Sequence, residues 1–459
     1  MPSIFGVLAV IGLSLASASG SDALLTPQLL SRDLPVIIEA MDLDSQQAAI
    51  LDDLLGEYLA QFETERSKVD ATLQSLDTST LHEAWVPSDW SDRHQVWRGI
   101  RAEAAEIDNA ADARVWLETQ QDWARDEMET LLRTRPAPPP STRTAILNDW
   151  LTRRSDLRDG LVRDVRLLLD TRRGSHWGMV EAAIARQRTP FKALFPGEAL
   201  DLGKVAEAQF EDGGASPPAV QRLFAPYQRA WAEAALRRDA ELAALVPLQL
   251  DAVERKDMLG QLLLARREAS ARRALVDANL DWYDRFTAAM PAGAVNDFQR
   301  AVNQAAHPDI FLPSLPERLV NHALASDDID SAIGAALLQS RTRFGGPRLA
   351  VAANERAARR SAAPRRLVAR AEQRAMADVF GPTALFQLER IGESDPLSRA
   401  TTLATRRRSI DAAWLQHVHE LLGPATVSAI PDDVKLPPKA LRPHLVDEQG
   451  EPLRLILLP

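Results

Sequence analysis

The chain has 459 residues, and its 54 Lys and Arg against 64 Asp and Glu give a formal net charge of −10. The absence of Cys excludes thiol catalysis, disulfides and thiolate metal sites. The acidic balance argues against a general nucleic-acid binder, while an apolar content of 46% is sufficient for a buried core.

The N-terminus carries a predicted export signal. Residues 4–15 are apolar, Gly or Ser, and Ala16-Ser17-Ala18 offers a small-residue cleavage site. A helix over 4–15 would be about 18 Å long, too short for a hydrocarbon core of about 30 Å. We therefore predict a signal peptide over 1–18, without the usual basic n-region, and a periplasmic or secreted mature protein. The alternatives are an uncleaved anchor or a buried N-terminal helix, and no later segment is apolar enough to span a membrane.

The first long helix is predicted to follow Asp44, its N-cap, with Gln47 at the capping-box position. Apolar residues then recur at spacings of three and four, which places them on one face. From Asp33 to Glu65 there is no Lys or Arg, so the opposite face is acidic. The apolar face comprises Leu51, Leu55, Tyr58, Phe62, Val69, Leu73 and Leu76.

Later helices are predicted from the same spacing. We expect Pro247 to kink or break one of them and Gly345-Gly346-Pro347 to interrupt another. No convincing strand alternation appears, except in the C-terminal tail. The predicted helices cover 88–135 (beginning near Ser88 or Ser91), 141–168, 219–290, 294–306, 315–325, 328–343, the segment from Pro347 to Phe380, and 397–422.

Five junctions share an apolar end, a short breaker and an apolar restart. Gly can close a helix in the left-handed conformation, and Pro fits the first turn of the next helix. Each junction therefore predicts a helix, a corner and another helix. The fold class that follows is all-α, an elongated array or bundle of long antiparallel helices joined by Gly/Pro corners. The junctions lie at 40–47, 193–200, 289–295, 379–385 and 421–427.

A Pro-rich segment is the clearest predicted boundary. Pro136-Ala137-Pro138-Pro139-Pro140 cannot be helical and predicts a stiff extended linker. It would separate an N-terminal helical unit, 19–135, from a helical array, 141–430. Residues 431–459 are also rich in Pro and are predicted to form an extended tail.

Leu43-Asp44-Ser45-Gln46-Gln47 resembles a Leu-Thr-x-x-Gln motif, with Asp44 at the position of the Thr. That motif marks small secreted helical proteins of the Spy and CpxP type, in which it lies at a helix junction. The resemblance implies a periplasmic stress chaperone or regulator with long antiparallel helices in a curved cradle. The residues by themselves predict an N-cap box.

No residue pattern predicts a catalytic, cofactor or metal site. No His has Glu three residues before it, so the Glu-x-x-His of carboxylate-bridged bundles is absent. His417-Val418-His419 places two imidazoles on different sides of a helix. Gly174-Ser175-His176-Trp177-Gly178 does not match the pattern of an esterase elbow, and no Gly-rich phosphate loop is present.

Four Trp residues form two pairs, Trp90 with Trp97 and Trp116 with Trp123, each seven residues apart. A functional interpretation is a stacking platform for sugars or a surface that binds unfolded proteins. The alternative, which we favour, is that the rings fill gaps among Ala-rich helices.

Ten Arg residues lie between Arg341 and Arg374, with only Glu355 and Glu372 among them. This segment predicts an anion-binding surface for an anionic surface or polymer, such as lipopolysaccharide, nucleic acid or an acidic protein. The alternative is a solvated helix face, paired with the acidic stretch 33–65 of the same chain. The candidate anion-binding residues are Arg359, Arg360, Arg365 and Arg366.

The function that we expect is an exported helical binding or scaffold protein, of a chaperone-like kind that holds unfolded or partner proteins. Two alternatives remain: an enzyme whose site is assembled from distant helices, and an anion-binding protein that uses 341–374. A deep pocket with convergent polar side chains would favour the enzyme, and an open apolar surface would favour the binding protein.

Overall fold

The computed structural model describes residues 25–76, 90–134, 141–168, 177–210, 216–326, 329–381 and 396–435. These residues form helices, and none of them lies in a strand, so the prediction of an all-α fold is confirmed. The helices are α1 (Leu34–Met41), α2 (Ser45–Gln74), α3 (Trp90–Ala105), α4 (Ala110–Thr134), α5 (Thr142–Leu168), α6 (Trp177–Lys192), α7 (Leu202–Ala208), α8 (Pro218–Glu254), α9 (Met258–Ala289), α10 (Ala292–Ala306), α11 (Pro308–Phe311), α12 (Leu315–Leu324), α13 (Ser331–Phe380), α14 (Pro396–Ala429) and α15 (Asp432–Lys435).

The chain divides into two compact units by its internal contacts. Helices on both sides of 136–140 belong to unit 1, so this division does not coincide with the predicted linker, which lies outside the described residues. The predicted signal, 1–18, also lies outside them, as does the tail beyond Lys435. Unit 1 comprises Met1–Glu198, Arg222–Trp282 and Pro364–Ile391, and unit 2 comprises Ala199–Gln221, Tyr283–Ala363 and Gly392–Pro459.

The predicted corners are present where the structure describes them. Helices end and restart within 40–47 and 289–295, and 193–200 lies between the end of α6 at Lys192 and the start of α7 at Leu202. At 421–427, Gly423 has a φ of 75°, which breaks the helical path inside α14. A left-handed residue of this kind costs a side-chain-bearing residue about 1 kcal/mol or more, which explains the Gly. The junction at 379–385 is described only to Gly381, where α13 has already ended.

The capping box at the start of α2 is confirmed. The Asp44 carboxylate accepts hydrogen bonds from the backbone N–H groups of Gln46 at 3.0 Å and Gln47 at 2.9 Å. The Gln47 side chain accepts in return from the Asp44 N–H at 3.3 Å. The reciprocal bonds satisfy helix-end donors that have no partner within the helix.

The core of unit 1 joins α1, α2, α5 and α6. The apolar face of α2 packs against α5, where Phe62 meets Trp150 edge-on with ring centroids 5.1 Å apart. Glu65 lies 3.5 Å from Arg153, while Leu51 shares a cluster with Val165, so the two helices are antiparallel. The buried members of that cluster are Leu29, Ile37, Met41, Leu51, Leu55, Tyr58, Leu161, Val162, Val165, Trp177, Val180 and Ile184.

The core of unit 2 joins α12, α13 and α14. Phe344 of α13 stacks on Trp414 of α14, with ring planes 10° apart and centroids at 6.2 Å. The indole N–H of Trp414 donates to the Ser340 hydroxyl at 3.3 Å, so the buried ring has a polar partner. The buried members are Leu319, Val320, Ala323, Leu337, Trp414, Val418, Leu422 and Ile430.

The helix predicted over 88–135 is two helices, which corrects the sequence analysis. α3 ends at Ala105, and α4 begins at Ala110. The Asn109 side chain accepts from the N–H of Ala111 at 2.9 Å and so starts the second helix. Asn competes with the backbone for such hydrogen bonds, and this favours caps over helix interiors.

Two predicted breaks do not occur where they were expected. Helix α8 passes Pro247 and ends at Glu254 because Leu245 and Ala252 are both buried with Leu264, and this burial offsets the lost backbone hydrogen bond. Helix α13 likewise passes through Gly345-Gly346-Pro347. The residues on either side of this triplet both contact α14: Phe344 stacks on Trp414, and Arg348 donates to Asp411.

Replacement of Asp44 with Ala tests the cap. We expect it to lower the free energy of unfolding of unit 1 by about 1 kcal/mol, because two backbone donors lose their acceptor. Urea unfolding followed by helical circular dichroism measures the change. The control is Asp52→Ala, an exposed Asp further along α2, which should stay within about 0.5 kcal/mol of the parent. Equal effects of the two substitutions would contradict a specific role for the cap.

Candidate functional site

The structure separates the four candidate anion-binding residues into two kinds. Arg359 pairs with Glu355 at 2.6 Å and also with Asp309, and Arg365 pairs with Glu372 at 2.6 Å. Arg360 and Arg366 are exposed, and neither has an ion-pair partner among the described residues. Half of the predicted set is therefore neutralised by neighbouring carboxylates.

The Arg-rich segment 341–374 does not pair with the acidic stretch 33–65 in the described residues, which corrects that alternative. The described ion pairs of the Arg-rich segment use Asp309, Glu355, Glu372 and Asp411. The acidic stretch has its own partners in unit 1, such as Arg188 for Asp33. Residues on neighbouring helices supply the partners because they are already held close by apolar packing.

Glu355 is the centre of a charged cluster in unit 2. Its carboxylate is fully buried and accepts from Arg407 Nε at 2.7 Å, in addition to Arg359. Nearby, Arg348 Nε donates to Asp411 at 2.8 Å, and its Nη2 donates to the carbonyl of Ile310 at 3.1 Å. Three Arg thus face three carboxylates, with Asp309 as the third, which makes these six side chains a paired structural network.

Glu198 is a second buried carboxylate that accepts from two Arg side chains. It lies in unit 1, at the corner after α6. One carboxylate oxygen accepts from the backbone N–H groups of Leu194 at 2.8 Å and Phe195 at 2.9 Å. The other accepts from Arg238 at 2.8 Å and from Arg272 at 3.0 Å. Four hydrogen bonds compensate the desolvation of this fully buried charge.

Glu198→Gln should destabilise unit 1 by about 2–3 kcal/mol, because it removes the counter-charge that two buried guanidinium groups share. Arg238 keeps Asp239 as a partner and Arg272 keeps Glu268. The control is Glu241→Gln, which breaks an exposed pair with Arg267 at 2.6 Å and should cost less than about 1 kcal/mol. Urea unfolding measures both variants. A similar small loss for Glu198→Gln would show that the buried charge is not needed at this corner.

His307, between α10 and α11, is a buried titratable group of unit 2. Burial is the main cause that lowers its pKa, and the Arg359 and Arg356 guanidinium groups act in the same direction. The Asp309 and Glu355 carboxylates oppose them, and the pKa falls from 6.5 to about 4. The folded state therefore binds fewer protons here than the unfolded state does. The stability from the neutral ring is present above pH 6.5 and is lost as the pH falls towards 4.

Replacement of His307 with Gln should remove that loss. Between pH 7 and 4.5 we expect the parent to lose up to about 3 kcal/mol more stability than the variant does, since each unit of pKa shift corresponds to about 1.4 kcal/mol. Urea unfolding midpoints at four pH values give the difference. Parallel curves for the two proteins would contradict a depressed pKa at His307.

Asp378 is the residue that an enzyme hypothesis would test first. Burial, with a smaller contribution from Asp257, raises its pKa from 3.8 to about 6 against the opposing effect of His94. Raised carboxyl pKa values are typical of acid–base groups, but they also occur in purely structural settings. Here Asp257 caps α9 by accepting from the Gly260 N–H at 2.8 Å, and His94 Nε2 lies 2.8 Å from the Asp378 carbonyl oxygen. Asp257 and His94 therefore both make hydrogen bonds that stabilise the fold. The described residues contain no cluster of three or more His, Asp or Glu side chains that could hold a metal ion.

One ring of each Trp pair packs against the core, while the side chain of Trp90 lies outside what the structure describes. Trp97 is buried and lies 5.9 Å from the ring of Phe380, as the core interpretation predicted. Trp123 is 40% exposed but meets the same Phe380 ring edge-on. The two rings thus share one core partner. The Ser175 segment lies outside the described residues.

An open groove follows the seam between α2 and α5 in unit 1, and we name it the α2–α5 groove. Its volume is about 620 Å³. The floor is apolar: Tyr58 and Leu161 are buried there, while Leu54 and Leu157 keep part of their side chains exposed. Exposed polar side chains form the rim, from Glu57, Gln61, Thr64, Arg153, Asp156 and Asp164.

The rim of the groove has a net negative charge once the ion pairs of its side chains are taken into account. Arg153 is neutralised by Asp149 at 2.8 Å and Glu65 at 3.5 Å. Glu57, Asp156 and Asp164 have no hydrogen-bond or ion-pair partner among the described residues. Three exposed carboxylates therefore border an apolar floor.

Sequence reasoning missed this site because it took each helix by itself, with one apolar face and one acidic face. The groove lies between these faces, and six of its thirteen lining residues come from α5. Gly160, Asp156 and Asp164 follow the helical spacing of three and four around Leu157 and Leu161, which is the signal that could have located it.

None of the helices in the described part of the chain combines the length and the apolar composition that a membrane span requires. No family model, curated protein or solved structure matches the chain.

Proposed function

We propose that the protein is an exported helical binding protein of the periplasmic chaperone type, and that the α2–α5 groove holds a segment of a partner protein. The observation that supports this is the partly exposed apolar floor, with Leu54 and Leu157 beside exposed polar groups. Apolar contacts are non-directional, so such a floor accepts varied side chains without a cofactor. The predicted signal and the Leu43–Gln47 motif agree with this function.

The binding surface is not the apolar face of α2 itself. Leu51, Leu55 and Phe62 are each about 1% exposed and belong to the core, so polar substitutions there would unfold the helix pair rather than disable a surface. The groove offers a cleaner test at Gly160. A Cβ added at this lining residue meets no atom within 4 Å.

Replacement of Gly160 with Phe should block the groove and abolish binding. Phe is a better helix former than Gly, and the site is open, so we expect the fold to be retained. The matched control is Gly56→Phe on α2, where a Cβ also has open space but the residue does not line the groove. Helical circular dichroism verifies the fold of both variants.

The assay is light scattering of a client protein that is diluted from urea at 25 °C. At equimolar concentration, the parent protein and Gly56→Phe should slow aggregation, while Gly160→Phe should leave it at the rate of the client alone. Aggregation at that rate with the parent protein would reject the chaperone-type function. Equal protection by Gly56→Phe and Gly160→Phe would show that the groove is not the binding site for the client.

A further inference from the structure

The charges around the α2–α5 groove identify the chemical class of its occupant. The three unpaired carboxylates lie on both walls, Glu57 on α2 and Asp156 and Asp164 on α5. A cleft lined by one sign of charge, with an apolar floor of low dielectric, concentrates the potential and attracts the opposite sign. The occupant should therefore carry positive charge at its edges and apolar groups at its centre.

The walls of the groove also select the conformation of the occupant. Both walls are α-helices, whose backbone hydrogen bonds are internal, so an extended peptide cannot add to them as a strand. A third helix can lie along the seam at the usual interaxial distance of about 8–10 Å. The lining residues of α2 extend from Leu54 to Glu65, which corresponds to about 16 Å, or three helical turns.

The spacing of the carboxylates determines the spacing of the cations that we expect on the bound helix. Asp156 and Asp164 are eight residues apart on one helix, or about 12 Å. Cations seven or eight residues apart on an approaching helix have nearly the same separation. Leu157 lies between the two carboxylates in sequence and contributes to the floor.

We propose that the α2–α5 groove binds a cationic amphipathic helix of a partner protein, with Lys or Arg seven or eight residues apart and an apolar side chain between them. This inference rests on the proposed function of the groove and adds the chemistry of its occupant. An anionic lipid surface or nucleic acid is repelled by the same carboxylates.

The test uses two fluorescein-labelled peptides of about four helical turns with the same apolar pattern. One carries Lys at positions i, i+4 and i+8 on the flanks of a Leu stripe, and the other carries Glu at those positions. Fluorescence anisotropy with the full chain measures the dissociation constants at low and at high salt. The parent protein should bind the Lys peptide, more weakly as salt rises, and should bind the Glu peptide at least tenfold more weakly.

Charge variants locate the interaction. The triple variant Glu57→Gln, Asp156→Asn, Asp164→Asn should weaken binding of the Lys peptide by about tenfold or more, because three ion pairs are lost. The control changes net charge equally outside the groove lining, with Asp52→Asn, Asp53→Asn and Asp159→Asn, and should change binding less than about threefold.

The outcomes separate this inference from the proposed function. If Gly160→Phe abolishes binding of both peptides and the two triple variants behave alike, the groove binds partners but does not select cations, and the inference is overturned. If Gly160→Phe leaves binding of the Lys peptide unchanged, the inference is also overturned, and the aggregation assay decides the proposed function independently. A parent protein that sediments as a dimer, with Gly160→Phe as a monomer, would show that the occupant is a second copy and would overturn it as well.

Discussion

The fold depends on carboxylates that satisfy backbone N–H groups where helices begin or turn. Every helix begins with N–H groups that have no partner within the helix, and an all-α chain contains many such ends. Asp44, Asp201, Asp257 and Asp330 each accept from N–H groups near the start of a helix. Glu198 does the same for the chain that leaves α6. These bonds hold the corners at which the apolar faces meet.

Some of the Arg residues neutralise buried carboxylates, one at a corner and one within a helix. A carboxylate that is buried to cap a backbone must also be neutralised, and a guanidinium group supplies several donors in a fixed geometry. Glu198 and Glu355 are fully buried, and each has two Arg partners. Three of the ten Arg residues that suggested an anion-binding segment, Arg348, Arg359 and Arg365, are neutralised by carboxylates in this way. Arg360 and Arg366 are the members of that predicted set that stay exposed and without an ion pair in the described residues.

This use of Arg leaves a surplus of acidic groups at the surface, in keeping with the net charge of −10. At the α2–α5 groove this surplus lies beside apolar side chains, and the proposed binding function rests on that combination. A depression beside Gly423 in unit 2 is similar in size, about 600 Å³, but only Glu420 among its lining residues is acidic. The groove therefore differs from this depression in having an acidic rim around its apolar floor.

The sequence by itself determined the fold class, the positions of most corners and the capping box at Asp44, because these depend on local spacing and on the backbone preferences of Gly, Pro and Asp. Only the tertiary structure decided that α13 continues through Gly345-Gly346-Pro347, since contacts with α14 outweigh local propensity. Tertiary packing likewise decided which Arg residues are neutralised and which carboxylates remain exposed at the groove. Helix periodicity identifies the face that is buried, but the charge of a groove depends on which two helices form it, and residues as distant as Glu57 and Asp164 meet there only after folding.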